Sequence, residues 1–193
     1  GVLIPRPETE LMVEKLTQIF KNKQITFLDI GTGSGCILIS LVSELKKSLG
    51  IGIDISKKAL STTKKNALNH NVYERIKLYN MSLNDLHNQK FDLIVSNPPY
   101  IKSKSLKNLE DDIKKYEPLI ALNGGNDGLD VIKKVIYKAR VILKINGTLA
   151  LEIGNEQLNK VSKILKSNGF KISFRINDYK DNCRCLISTY LGK

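Results

Sequence analysis

Apolar positions along this chain switch repeatedly between two spacings. From Glu8 to Phe20, Leu11, Met12, Leu16, Ile19 and Phe20 recur at helical intervals, after Pro5 and Pro7 punctuate the approach. Ile25 to Ile30 is a short apolar run ended by a glycine cluster, the pattern of a buried strand. Cys36 to Leu45 then reads as a helix, and Leu49 to Ile55 as a strand carrying Asp54 near its end. Lys57 to Asn69 predicts a polar-faced helix with Ser56 as its cap. Ile76 to Tyr79 and Phe91 to Ser96 predict two more strands. A long connection from Ile101 to Asn126 leads to a helix ending near Leu143, with a stripe through Leu129, Ile132, Val135 and Ile136. Gly147 to Ile153 predicts a strand, Glu156 to Lys166 a helix, and Phe170 to Ile176 and Arg184 to Tyr190 a final pair of strands.

Strands alternating with helices at these intervals predict an α/β fold, a doubly wound and mostly parallel seven-stranded sheet. The last two strands have no helix between them, so they predict an antiparallel C-terminal hairpin at the sheet edge. Residues 1–193 read as a single domain, with an opening segment and helix at 1–22 and a substrate-side loop at 101–126.

Composition narrows the class only slightly. With 41% hydrophobic and 26% charged residues the chain has the balance of a globular protein, and no apolar stretch approaches a membrane span. Three cysteines argue against a disulfide scaffold and for a reducing compartment, the cytoplasm or an organelle matrix. With only His70 and His87, neither near a cysteine in sequence, no metal site is expected. The net charge of +12 suits a polyanionic partner, but the lysines are spread through the chain. Lys102, Lys104 and Lys107 form the nearest local cluster. A drift of composition toward Lys and Asn explains the charge equally well.

Two junctions carry chemistry. The strand Phe91–Ser96 runs into Asn97-Pro98-Pro99-Tyr100. Consecutive prolines make a stiff, extended bend without N–H donors, which turns carbonyl oxygens outward at a carboxyl strand end. An Asn side chain, proline carbonyls and an aromatic face form an acceptor-rich clamp for a planar NH2 group. A proline-punctuated loop without function is the plain alternative. Upstream, Asp29-Ile30-Gly31-Thr32-Gly33-Ser34-Gly35 sits where strand turns into helix, and its glycines let a ligand approach backbone N–H groups. It is not the dinucleotide fingerprint, because the third glycine position falls on Cys36. Asp54, about twenty residues on, is placed to accept hydrogen bonds from ribose hydroxyls. Together they predict an adenosine-containing cofactor across the strand ends.

On these motifs the chain resembles the HemK/PrmC family of class I S-adenosylmethionine-dependent methyltransferases. The resemblance extends over Ile4-Pro5-Arg6-Pro7-Glu8-Thr9-Glu10, the Asp29–Gly35 loop, Asp54, Asn97–Tyr100, Tyr116-Glu117-Pro118-Leu119, Asn123–Asp130 and Asp178–Asn182. The glycine loop and the NPPY tetrapeptide recur in other methyltransferases; the RPETE start and the EPL…GG…DGL segment are narrower. The resemblance implies transfer of methyl from S-adenosyl-L-methionine, leaving S-adenosyl-L-homocysteine, to the glutamine amide nitrogen of the Gly-Gly-Gln motif in class I peptide release factors. It also implies a small helical domain ahead of this segment that aids docking.

The same resemblance assigns Gly31, Thr32, Gly33, Ser34 and Gly35 to the methionine end and ribose of the cofactor, and Asp54 to the ribose. Asn97 and Pro98 would accept from the substrate NH2, with Pro99 beside them, Tyr100 packed on the amide, and Asn97 also touching the cofactor. Pro7, Glu8 and Thr9 would help close the site. Family members often carry an acidic residue before an aromatic one near the adenine. Here Met81 and Ser82 stand there, with Asp85 further on, so Ser82 or a backbone amide is expected to substitute. A monomer is expected, with no obligatory nucleic acid and no membrane. The rival reading is a nucleic-acid amino-methyltransferase acting on an exocyclic NH2 of adenine or guanine, for which no added recognition domain is visible. Glu117 reads as a shaper of the substrate mouth or an ordinary loop carboxylate, and Glu152 as structural or a solvated edge charge. Asp92 reads as a residue at the start of its strand, and Tyr116 and Tyr179 as packing aromatics.

Overall fold

A computed structural model describes residues 7–87, 89–108 and 118–192. Seven strands form one sheet in the order β3-β2-β1-β4-β5-β7-β6. They are β1 (Thr26–Ile30), β2 (Leu49–Asp54), β3 (Ile76–Asn80), β4 (Phe91–Ser96), β5 (Leu143–Glu152), β6 (Phe170–Asn177) and β7 (Cys183–Tyr190). Strands β3, β2, β1, β4 and β5 run parallel, and β7 pairs antiparallel with both β5 and β6. The doubly wound sheet and its antiparallel edge hairpin match the sequence reading.

Helices α1 (Pro7–Phe20), α2 (Cys36–Glu44), α3 (Lys57–Asn69), α4 (Asp130–Ile142) and α5 (Leu158–Ser167) cover the two faces. Met12 and Leu16 of α1, Leu38, Leu41 and Val42 of α2 and Ala67 of α3 join one apolar cluster with Phe27, Leu93 and Val95. Ile132, Val135, Ile136 and Ala139 of α4 and Val161 and Leu165 of α5 join the other, against Leu28, Ile94 and Leu149. The α4 residues are 0% exposed, and burying each larger one stabilises the fold by roughly 1.5–3 kcal/mol. Because β1 is followed toward one edge and β4 toward the other, the connections leaving their paired carboxyl ends diverge. The switch in strand order therefore opens a crevice there.

Two boundaries differ from the sequence reading. Strand β5 begins at Leu143, directly after α4, because Leu143 pairs with Phe91 before the register shifts toward Leu93 and Thr148. Lys144, Ile145 and Asn146 are exposed in that irregular stretch, and Asn146 has φ 63°, which hides the strand from a hydrophobic count. The last helix starts at Leu158, since Glu156 sits at φ 68° and belongs to the turn before it. Strand β6 forms the sheet's rim, and its register against β7 shifts between Ile172 and Phe174 and again between Ile176 and Asn177. Lys15 of α1 lies 4.3 Å from the centre of the Phe174 ring.

Candidate active site

The cleft at the switch point has a volume of about 370 Å³. Gly31 and Gly33 form its floor, Asp54 and Ser56 one side, Met81, Ser82 and Leu83 the end, and Asn97, Pro98 and Pro99 the opposite wall. Gly31, Gly33 and Gly35 have φ of 71°, 59° and 83°, the left-handed region in which side-chain-bearing residues are strained. A Cβ on Gly31 would meet nothing within 4 Å, so open space lies over that peptide. On Gly35 a Cβ would come within 2.6 Å of Thr63 Cγ2, so that glycine serves the packing of α2 on α3.

The glycine loop is pinned from several directions. The Gly31 and Thr32 amides donate to the Ile53 carbonyl at 2.9 and 3.1 Å. Asp54 Oδ2 accepts the Gly33 N–H at 3.0 Å, and Oδ1 accepts the Ser56 N–H at 2.8 Å. From α3, Thr63 Oγ1 donates to the Gly33 carbonyl and Asn66 Nδ2 to the Ser34 carbonyl, both at 2.9 Å. Asp54 is thus half-buried and oriented before any ligand arrives, with lone pairs left toward the cleft.

The Thr32 side chain turns inward. It is 6% exposed, and its hydroxyl donates at 2.8 Å to Asp29 Oδ2 beneath the loop. The walls of the cleft include neither Thr32 nor Ser34 nor Gly35. Asp29 is 1% exposed. Burial pushes its carboxyl up to about 7, opposed by the Thr32 hydrogen bond, assisted by the Asp54 charge and opposed again by the Leu38 backbone amide.

At the Met81–Leu83 end of the cleft, Ser82 caps the short turn Leu83–Asp85. Its oxygen accepts the Asn84 N–H at 3.2 Å and its own N–H donates to Asp85 Oδ2 at 3.1 Å. The Asp85 carboxyl is held below the usual range by the Ser82 side chain and then the Ser82 backbone. It therefore folds back on the turn instead of reaching into the cleft. Apolar surface from Ile55, Met81 and Leu83 lines this end.

The clamp is supported from behind by residues far away in sequence. Ser96 Oγ donates to the Ile30 carbonyl at 2.8 Å, locking β4 to β1 at the cleft floor. Tyr100 stands outside the cleft wall. Its hydroxyl accepts from Arg184 Nη2 at 3.2 Å and lies 3.5 Å from Glu152 Oε1, while the guanidinium carbon lies 5.8 Å from its ring centre. Glu152 is 0% exposed and accepts the Thr9 hydroxyl at 2.7 Å. Of the two readings of Glu152, structural or a solvated edge charge, the first holds: it is a buried carboxylate joining α1 to the clamp. Gln157 is 7% exposed, and its Nε2 donates to the carbonyls of Tyr100 at 3.2 Å and Gly128 at 3.0 Å. Sequence reading passed over Arg184, Gln157, Thr63 and Asn66. Only Thr63 and Asn66 left a signal, as polar residues three apart on the side of α3 nearest the loop.

The loop after the clamp packs closely on it. Ile101 and Asn123 form a parallel bridge, with the Ile101 N–H donating to the Leu122 carbonyl and the Gly124 N–H to the Ile101 carbonyl. A Cβ on Gly124 would stand 2.8 Å from both the Pro99 carbonyl oxygen and Tyr100 Cα. Asp92 does more than begin a strand: Oδ2 accepts the Thr26 N–H, and Oδ1 pairs with Lys144 at 2.7 Å. Tyr179 is 90% exposed and packs on little. Ile4, Pro5, Arg6, Tyr116, Glu117 and the side chains of Pro7 and Glu8 lie outside the described residues. Among the described residues no cluster of metal-ligating side chains forms and no helix is long and apolar enough to cross a membrane.

A glycine-floored cleft at the switch point of this strand order, facing an Asn-Pro-Pro wall, defines a methyltransferase-type α/β domain. The family described as methyltransferase small domain matches residues 7–115. A release factor glutamine methyltransferase from Clostridium botulinum is 43% identical over 182 residues, covering 92% of this chain and 64% of the relative. One from Thermodesulfovibrio yellowstonii is 37% identical over 190 residues, covering 97% of this chain and 68% of the relative. In fold, a ribosomal protein L11 methylase from Lactobacillus delbrueckii superposes with a TM-score of 0.73 at 22% identity, covering 99% of this chain and 82% of that one. The chain belongs to the release factor glutamine methyltransferase family within the methyltransferase small domain proteins. It spans about three fifths of the length of the curated relatives it matches first.

Proposed function

We propose that this protein transfers a methyl group from S-adenosyl-L-methionine to the side-chain amide nitrogen of the Gly-Gly-Gln glutamine in a class I peptide release factor. The observation that carries the reading is one cleft walled by Gly31, Gly33 and Asp54 on one side and by Asn97, Pro98 and Pro99 on the other. Its residues suit the cofactor: bare peptide over Gly31, a pre-oriented carboxylate for ribose hydroxyls at Asp54, and apolar surface at Ile55, Met81 and Leu83 for a flat base. Ser82 borders the base, while Thr32, Ser34 and Gly35 shape the loop without facing the ligand.

The cofactor's sulfonium supplies an activated methyl, so the chain's residues mainly position and stabilise. An amide nitrogen is a weak nucleophile because its lone pair is shared with the carbonyl. Asn97 Oδ1 and the Pro98 carbonyl accept the two amide hydrogens and favour the positive charge that develops on nitrogen as it bonds to carbon. Pro99, with Tyr100 behind it, holds the amide plane in line with the bond being broken. The surplus proton leaves from the product nitrogen to solvent, so no strong base is needed. A monomer working in cytoplasm, with no nucleic acid, completes the reading.

The test is transfer of radiolabelled methyl from S-adenosylmethionine to a purified release factor, beside the same factor with its Gly-Gly-Gln glutamine replaced. Label on the first alone supports the reading. Label on both sinks the site assignment, and label on RNA or DNA instead favours an exocyclic amine as acceptor.

A further inference from the structure

Behind the clamp, one buried side chain joins three backbone segments that have no sequence proximity. The Gln157 NH2 donates to the Tyr100 carbonyl, where the chain leaves the clamp, and to the Gly128 carbonyl, at the end of the loop after it. Its Oε1 accepts the Gly154 N–H at 2.8 Å, just beyond the end of β5. The amide orientation follows from these partners, since turning it over would set Oε1 against two carbonyl oxygens. The surroundings leave no room for drift. Gly128 has φ 74°, and a Cβ there would run into the Tyr100 oxygen; one on Gly154 would approach Tyr100 Cδ2 at 3.0 Å.

We propose that Gln157 is a positioning residue for the acceptor site: its amide clasps the Tyr100 and Gly128 carbonyls, so that the clamp and the 124–128 loop move as one piece and a single amide-binding position faces the cleft. This rests on the reading of Asn97–Tyr100 as the acceptor site. Pro98 and Pro99 have no N–H of their own, so the clamp has few backbone donors and its acceptors carry more of the task of holding it in place. Carbonyls at Tyr100 and Gly128 without a donor in this enclosed place would be costly. The internal amide removes that cost. Asn97 and Pro98 remain as the acceptors on the cleft wall.

The test is Gln157→Glu, which keeps size and the acceptor toward Gly154 but removes the NH2. Near pH 8 the introduced carboxylate opposes two carbonyls, and kcat for a release-factor acceptor is expected to fall about tenfold or more, with the Kd for S-adenosylhomocysteine within about twofold of wild type. Near pH 6 the introduced carboxyl takes up a proton and regains one donor, so the loss relative to wild type shrinks. Gln157→Leu has no donor to regain and should show a loss independent of pH. Activity of Gln157→Glu that is unimpaired, reduced equally at pH 6 and pH 8 relative to wild type, or reduced together with cofactor binding overturns the clasp alone. A wild-type protein that labels no release factor instead overturns the acceptor-site reading. Should both variants fail to fold, amide exchange by NMR on the wild type decides. The Gln157 side-chain NH2 should exchange far more slowly than that of exposed Gln18, and equal rates would overturn the clasp.

Discussion

The two walls of the cleft are built on different principles. The Gly31–Asp54 wall is mostly backbone: a loop of left-handed glycines held by amides to Ile53, by Asp54 and by two side chains of α3. The Asn97–Tyr100 wall is held by side chains drawn from both ends of the chain, Thr9, Glu152, Gln157 and Arg184. One wall is set by short-range geometry, the other by tertiary assembly. The first can form wherever β1, β2 and α3 form; the second exists only once β5, β7 and α1 have docked.

If that division is right, the walls should fail separately. The largest effect is expected from Asn97→Ala, which removes an acceptor from the acceptor wall. Methyl transfer should fall by about 10²–10³, while calorimetric titration finds cofactor affinity within about twofold. A parallel loss of affinity would merge the two walls into one. Next, Asp54→Ala should weaken cofactor binding by about 10- to 100-fold, since the carboxylate both anchors Gly33 and lines the cleft where the proposed ribose would lie. The acceptor KM, measured at saturating cofactor, should barely move. Gly128→Ala should then lower stability by about 1–3 kcal/mol in urea melts, through strain at φ 74° and the collision with Tyr100. An unchanged midpoint would mean that the loop is less tightly packed than it looks.

The smallest effect concerns Asp29 under the glycine wall. Its folded pKa of about 7 lies above the ordinary 3.8, so the folded state holds the proton more tightly than the unfolded chain. The stability linked to this group is therefore fullest below pH 4 and is lost as pH rises to about 7. The slope in that window is at most about 1.4 kcal/mol per pH unit. Asp29→Asn should keep an acceptor for Thr32 and flatten that part of the stability profile. Equal pH profiles for the two proteins would place the proton elsewhere.

The same contrast explains what could be read from the sequence. Helical and strand spacings showed the doubly wound sheet because each element is buried on a regular face, as with Ile132, Val135 and Ile136. The positions of Gly31, Gly33 and Asp54 were legible because a strand–turn–helix needs its special residues close together. The direction of the Thr32 hydroxyl was not legible, because a place in a glycine loop says nothing about which way it turns; Asp29, three residues back, accepts it. Glu152, Gln157 and Arg184 were not legible as clamp supports. These partners lie 29–143 residues away, and no local pattern distinguishes a buried carboxylate at a strand end from a solvated one. The start of β5 was missed because Lys144–Asn146 interrupt its apolar run with exposed, irregular residues.

The rim strand β6 has a bearing on life at high concentration. An unpaired sheet border offers another chain a row of donors and acceptors, which is how fibrils recruit material. Here the row is broken after Ile172, where the extra residue of a bulge sits in β6, and Lys171 and Arg175 project on either side of it. An incoming strand would lose alignment at that point, with like charges close by. The irregularity that costs this strand some of its own pairing therefore works against polymerisation through this border.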